Sequence, residues 1–239
     1  MCFLGLGKST SIQSEQLLSE ETNKGDIMGK QAIKMELQKD YISLMSLGRA
    51  RQPGRCRWGK PRKGWYRVDT YGISTRNRGG CPAISTRSIG GCGAIIRDHE
   101  GTMIAAASGI SDKKSFLYNE VQGVKLGLIL AKKIGLKRVK VTTVSRYIYK
   151  HLTDQRELLE EDDDTSIVKP VFDEIRGIML GFESVLFRIS FRATNRAADY
   201  LAKLFKKNDE IKPGDLEVDK KLMKIIRSDA QGVEYDCWF

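Results

Sequence analysis

A chain of 239 residues can hold one ordinary domain with extensions, or at most two small domains. Its 41% hydrophobic content excludes a disordered protein, and no apolar run reaches the ~18 residues that a membrane-spanning helix needs. The formal charge of +11 is unevenly spread. Arg49, Arg51, Arg55, Arg57, Lys60, Arg62, Lys63 and Arg67 fall in one stretch without an acid among them, a pattern suited to a polyanionic partner.

In chain order, residues 1–48 read as a poorly ordered leader. Weakly amphipathic stretches at Ile12–Glu21 and Ile27–Leu47 are parted there by the turn-like Asn23-Lys24-Gly25-Asp26. Residues 49–64 are basic, contain Pro53, Gly54, Gly59 and Pro61, and read as a linker. Trp65–Thr70 alternates as a strand and runs into a long loop of Gly, Ser, Thr, Asn and Arg that reaches Gly91. Cys92–Arg97 and Met103–Ser108 form two apolar strands around the turn Asp98-His99-Glu100-Gly101. A helix follows from Ser115 to Ile134, with Glu120, Val124, Gly127 and Ala131 on one face and Gly135 as its stop. Arg138–Val144 is a β-branched strand, and Ser145 caps a short helix through Leu152. After an acidic loop come a helix from Ile167 to Leu180, a strand at Ser184–Phe191 and a helix at Thr194–Phe205. Residues 208–239 read as a C-terminal extension with a short helix near Leu216–Ile226. The order predicts an α/β domain over residues 65–207, a mixed sheet with helices packed on its faces.

Cys2, Cys56, Cys81, Cys92 and Cys237 are odd in number and scattered, with no Cys-x-x-Cys pair. Reduced thiols in an intracellular compartment, nucleus or cytoplasm, are therefore expected rather than a disulfide framework or a zinc site. The first apolar stretch is too short for a secretory signal.

Four fragments stand in order along the chain: Trp58…Pro61…Gly64-Trp65 with Arg67-Val68-Asp69, then Gly91-Cys92-Gly93-Ala94-Ile95-Ile96-Arg97-Asp98…Gly101. Glu120-Val121-Gln122-Gly123 with Gly127-Leu128 follows, and Arg192…Asn195…Ala198-Asp199-Tyr200-Leu201-Ala202-Lys203 closes the series. Together they resemble the ribonuclease-H-like domains common in plant genomes, within the type 1 ribonuclease H superfamily. The resemblance implies a mixed five-stranded sheet with helices on both faces. It also implies an acidic site for Mg2+ or Mn2+, since two-metal phosphodiester hydrolysis needs carboxylates holding ions ~3.5–4 Å apart. Of the four acids it implies, three carry over by position: Asp69 from the first strand, Glu120 from the first helix and Asp199 from the last. Each alone also reads as a turn cap, a dipole-favoured helix residue or a solvated acid.

The third acid is missing. The family's fourth strand ends in an acid before a serine, whereas this chain reads Thr142-Thr143-Val144-Ser145. The family's histidine, associated with product release, is replaced by Ile189, and the usual Asp-Gly becomes Asp69-Thr70-Tyr71-Gly72. The expected protein is thus a ribonuclease-H-like binder of RNA–DNA hybrid or RNA with a weakened metal site of Asp69, Glu120 and Asp199 and little or no hydrolysis. Arg55, Arg57, Lys60, Arg62 and Lys63 are its expected phosphate contacts. The rival readings are an active Mg2+-dependent hybrid ribonuclease and a protein-interaction module built on a retired nuclease fold.

Other patterns carry less. Gly5-Leu6-Gly7-Lys8-Ser9 lacks the first glycine and the preceding strand of a phosphate loop. His99 and His151 are too far apart in the chain to suggest zinc or a triad, and Glu160-Glu161-Asp162-Asp163-Asp164 reads as a solvated loop rather than a Ca2+ loop. Trp58 and Trp65, beside the basic stretch, are candidates for stacking on bases, with packing on the sheet the expected role of Trp65.

Overall fold

The computed structural model describes residues 53–74, 90–111, 115–153, 163–204, 209–211 and 219–238. The leader, Arg49, Arg51, the loop over residues 75–89 and the acidic side chains of residues 160–164 lie outside the described residues.

After the short strand β1 (Pro53–Arg57) come β2 (Tyr66–Ser74), β3 (Gly90–Arg97) and β4 (Met103–Ser111). β2, β3 and β4 pair antiparallel in sequence order. The turn between β3 and β4 is held by the Asp98 carboxylate, which accepts from the backbone N–H groups of Glu100, Gly101 and Thr102. Helix α1 (Phe116–Lys133) starts where the Ser115 hydroxyl accepts from the Tyr118 N–H, and Gly135 follows it at a φ of 76°. The chain then crosses back to β5 (Arg138–Thr143), parallel to β2. Helices α2 (Arg146–Thr153) and α3 (Asp163–Met179) lead to β6 (Ser184–Ile189), parallel to β5. A 3-10 turn at Arg192–Thr194 precedes helix α4 (Arg196–Ala202).

The five strands in the order β4-β3-β2-β5-β6 are the mixed sheet expected from the sequence. Strand β7 (Asp209–Ile211) adds a sixth on the β4 edge. Helix α1 lies close on one face: a Cβ at Gly127 would stand 2.7 Å from Val68 and 3.3 Å from the Ala94 methyl. On the other face Tyr71, Ile95, Met103 and Ala106 pack with Ala197, Ala198 and Leu201 of α4.

The regions read as linker and extension are built into this unit, which spans Pro53–Trp238. β1 pairs antiparallel with β8 (Glu234–Trp238) in a two-stranded ribbon, and Trp58 and Pro61 are buried. Helix α5 (Lys220–Ala230) places Leu222, Ile225 and Ile226 in the cluster beneath α4. Cys56 and Cys237 are joined by a disulfide across the ribbon, with Cα atoms 5.9 Å apart, so the expectation of reduced, scattered thiols fails for this pair. Residues 181 apart in sequence looked scattered only because their strands had not been recognised as partners.

Candidate functional site

Along β2 the side chains of Arg67, Asp69 and Tyr71 share one face, by the two-residue period of a strand. The neighbours of Asp69 leave no room for metal ligation. Asp69 is 0% exposed. Its Oδ1 accepts from Arg67 Nε at 2.6 Å and from the Thr142 hydroxyl at 2.5 Å. Its Oδ2 accepts from Arg97 Nη2 at 2.6 Å and from the Trp58 indole at 2.9 Å. Burial pushes this carboxyl up, but Arg67, Arg97 and the Thr142 hydroxyl outweigh it and hold Asp69 well below the usual carboxylate range. All four acceptor positions of the carboxylate are occupied by the protein itself.

The network continues outward from Asp69. Arg97 Nη1 donates to Asp229 of α5 at 2.7 Å, Tyr235 of β8 donates to the same carboxylate, and the Arg97 guanidinium lies 3.9 Å from the Trp58 ring centre. Trp58, at 2% exposure and donating to Asp69, is a structural residue and unavailable to a base. Asp69 is therefore the centre of a clasp that fastens β1, β8 and α5 to the sheet.

Two residues on, the picture changes. A Cβ on Gly72 would lie 2.1 Å from the backbone nitrogen of Glu120, so only glycine lets β2 pass α1 this closely. The residue before it is Tyr71. Tyr71 is buried in the cluster that Val144 also packs against. Its hydroxyl pKa is raised, first by burial and further by the carboxylates of Asp199 and Glu120, while Arg192 opposes the rise. The Arg192 guanidinium stands 5.5 Å from the Tyr71 ring centre and 3.6 Å from Asp199 Oδ1.

Glu120 is 3% exposed, and its Oε1 is buried without a hydrogen-bond partner. Burial pushes the carboxyl up to about 7, against the pull of the Ser145 hydroxyl, which also caps α2 by accepting from Ile148 N–H at 3.3 Å. Asp199 is tethered by Lys203 one turn on as well as by Arg192. Asn195 anchors the start of α4, donating from Nδ2 to the Thr70 carbonyl at 2.8 Å, while its own carbonyl accepts from Asp199 N–H at 3.0 Å.

The structure thus groups Glu120, Asp199, Tyr71 and Val144 at one end of the sheet and keeps Asp69 apart in the clasp. In the sequence Arg192, Asn195 and Lys203 were read only as parts of the closing motif and Tyr71 only as an interruption of Asp-Gly, none with a role in the site. Among the described residues no group of three or more His, Cys, Asp or Glu side chains is arranged to hold a metal ion. The two carboxylates at this end of the sheet, Glu120 and the ion-paired Asp199, are fewer than the double-ion arrangement of Mg2+ or Mn2+ uses.

The expected phosphate contacts lie elsewhere. Arg55 and Arg57 are exposed on β1, Arg55 lying 3.8 Å from Asp236, and Lys60, Arg62 and Lys63 are exposed in the turn that follows. Arg62 covers Trp65, its guanidinium 5.6 Å from the ring centre.

Residues 78–205, more than half of the chain, match the family described as reverse transcriptase-like. The chain belongs to that family. Among solved structures it is similar to LC9-RNase H1, a type 1 RNase H with the type 2 active-site motif, at a TM-score of 0.50 and 15% identity, covering 69% of this chain and 85% of that one. It is also similar to the N-terminal RNase H domain of a Mycobacterium tuberculosis protein fused to maltose binding protein (TM-score 0.49, 19% identity, 59% of this chain and 92% of that one). RNase H1 from Halobacterium salinarum NRC-1 gives the same score and identity over 59% of this chain and 97% of that one. No curated protein sequence matches the chain. At these identities the likeness is one of fold, and the strand order of this reverse transcriptase-like chain is that of a ribonuclease-H-like domain. Among the described residues no helix is long and apolar enough to cross a membrane.

Proposed function

We propose that this chain is a ribonuclease-H-like nucleic-acid-binding protein, taking RNA–DNA hybrid or RNA, whose acidic centre hydrolyses weakly or not at all. The observation that carries the reading is the pairing of Gly72 with Tyr71 beside Glu120. A tyrosine stands where the first carboxylate is needed, and Val144 stands where the third is. Two of four ligands are then absent, one more than the sequence indicated. Glu120 and Asp199 are the remaining acids, and Mg2+ or Mn2+ would find at most a weak, single-ion contact there. The exposed Arg55, Arg57, Lys60, Arg62 and Lys63 supply sequence-independent phosphate contacts. The wording of the motifs supports kinship with the plant members of the superfamily, and the balance of charge suits an intracellular polyanion.

The test is cleavage of a labelled RNA–DNA hybrid by the full chain in Mg2+ and in Mn2+, with Asp199→Asn as the control. Asp69→Asn is unsuitable because it disrupts the clasp. Cleavage should be absent or far below the common enzyme range of about 1–10³ s⁻¹. Turnover within that range, abolished by Asp199→Asn, would show that the remaining acids suffice and would defeat the reading.

A further inference from the structure

The outer half of the sheet carries a group of cations that the acidic centre does not use. Strands β5 and β6 bury Val139, Val141 and Phe187 on the face toward the helices α1 and α2. On the opposite face Arg138 is exposed, and Lys140, Leu186 and Arg188 are half-buried. The register sets Lys140 beside Arg67 on β2 and beside Leu186 on β6, and sets Arg188 opposite Thr142, two residues before Val144. Arg62 lies over Trp65 in the turn that follows β1, and the Arg138 guanidinium comes up against Gly64 of the same turn, where a Cβ would meet it at 3.0 Å.

None of Arg62, Arg138, Lys140 and Arg188 has a carboxylate within ion-pair distance among the described residues. Asp69 is the acid that acts on Lys140, and its oxygens are taken. Among the described residues the protein therefore holds four like charges without an ion pair of their own, an arrangement that an anion relieves. The ammonium of Lys140 registers the crowding: burial, then Arg67, Arg188 and Arg62 push its pKa below the ordinary lysine value.

We propose that Arg138, Lys140 and Arg188, with Arg62, form a second binding surface, one for the phosphodiester backbone of a nucleic acid, on the open face of β5 and β6. Three of the four are arginines, whose planar fork binds phosphate oxygens in pairs. On this face of β5 and β6 Leu186 is the one apolar side chain, which argues against a protein partner, whose interface would need an apolar centre. The three parallel strands β2, β5 and β6 all end toward Tyr71 and Val144, so a backbone lying along Arg138, Lys140 and Arg188 is led toward the acidic centre. The inference rests on the nucleic-acid reading for the class of ligand and is independent of hydrolysis.

The test is fluorescence anisotropy of a short labelled RNA–DNA hybrid with the full chain over a range of salt. The variant is Arg138→Gln, Lys140→Gln, Arg188→Gln. The comparison is Lys220→Gln, Lys224→Gln, Arg227→Gln, which removes the same charge from α5. The sheet-face variant should bind at least about tenfold more weakly, and its plot of log K against log salt should flatten by about 2 to 3. The α5 variant should resemble the parent. Equal weakening in the two variants would make the effect one of net charge and overturn the proposal. A parent that does not bind the hybrid would overturn both this surface and the nucleic-acid reading. A parent that binds, with a sheet-face variant indistinguishable from it, would overturn this surface alone. Displacement of the hybrid by polyglutamate as readily as by unlabelled hybrid would overturn the phosphate assignment. If the triple variant melts below the parent, Arg138→Glu against Lys224→Glu, both at exposed positions, decides by the same reading of affinity.

Discussion

Glu120 ionises in the unfolded chain near its ordinary value of 4.5 and in the folded one near 7. Between those values the native state binds more protons than the unfolded state, so stability falls as pH rises and levels off above the folded pKa. The fall attributable to this one side chain is roughly 3 kcal/mol. Glu120→Gln removes it. Urea denaturation should find parent and variant alike below about pH 4.5 and the variant more stable above about pH 7. An identical pH dependence in the two proteins would mean that Glu120 is ionised and solvated, as a metal-binding acid would be. Asp69 gives the opposite result. Asp69→Asn leaves Arg67 buried with its compensating charge removed and Arg97 with Asp229 alone, at a cost of about 3–5 kcal/mol. Denaturation in the presence of chelator should show that loss in full. An acid kept for metal would instead become neutral or stabilising on conversion to the amide, because it would no longer repel its neighbours.

Among the elements, those with a local signature were legible in the sequence. Ser115 and Gly135 bracket α1 to within a residue, and the β-branched run at β5 and the Asp98 turn read correctly because their chemistry lies within a few residues. The ribbon was not legible. β1 is rich in Pro, Gly and Arg, which locally spells a linker, and its partner β8 lies at the other end of the unit. The same distance hid the clasp, since Trp58, Asp69, Arg97 and Asp229 meet only in three dimensions. The sequence also set Asp69 beside Glu120 and Asp199, whereas its side chain is held in the clasp; our proposed register, two residues further on, rests on the approach of Gly72 to Glu120. A disulfide closing so long a loop raises the free energy of the unfolded chain, by about 2–4 kcal/mol in typical cases. Cys56→Ser and reduction of the parent should each lower the melting temperature, and reductant should have no further effect on the variant. A parent indifferent to reductant would show that the ribbon stands without the bond.

At the level of the whole molecule, the unit from Pro53 to Trp238 begins and ends in the same place. Pro53 pairs with Trp238, and the two strands run in opposite directions, so the chain enters and leaves side by side. Tension applied to the two ends would draw them apart like the teeth of a zipper, one rung at a time. The bond between Cys56 and Cys237 stands almost at the first rungs. A pull between the ends therefore closes through the sulfurs, and the sheet, the clasp and the acidic centre behind them carry no load.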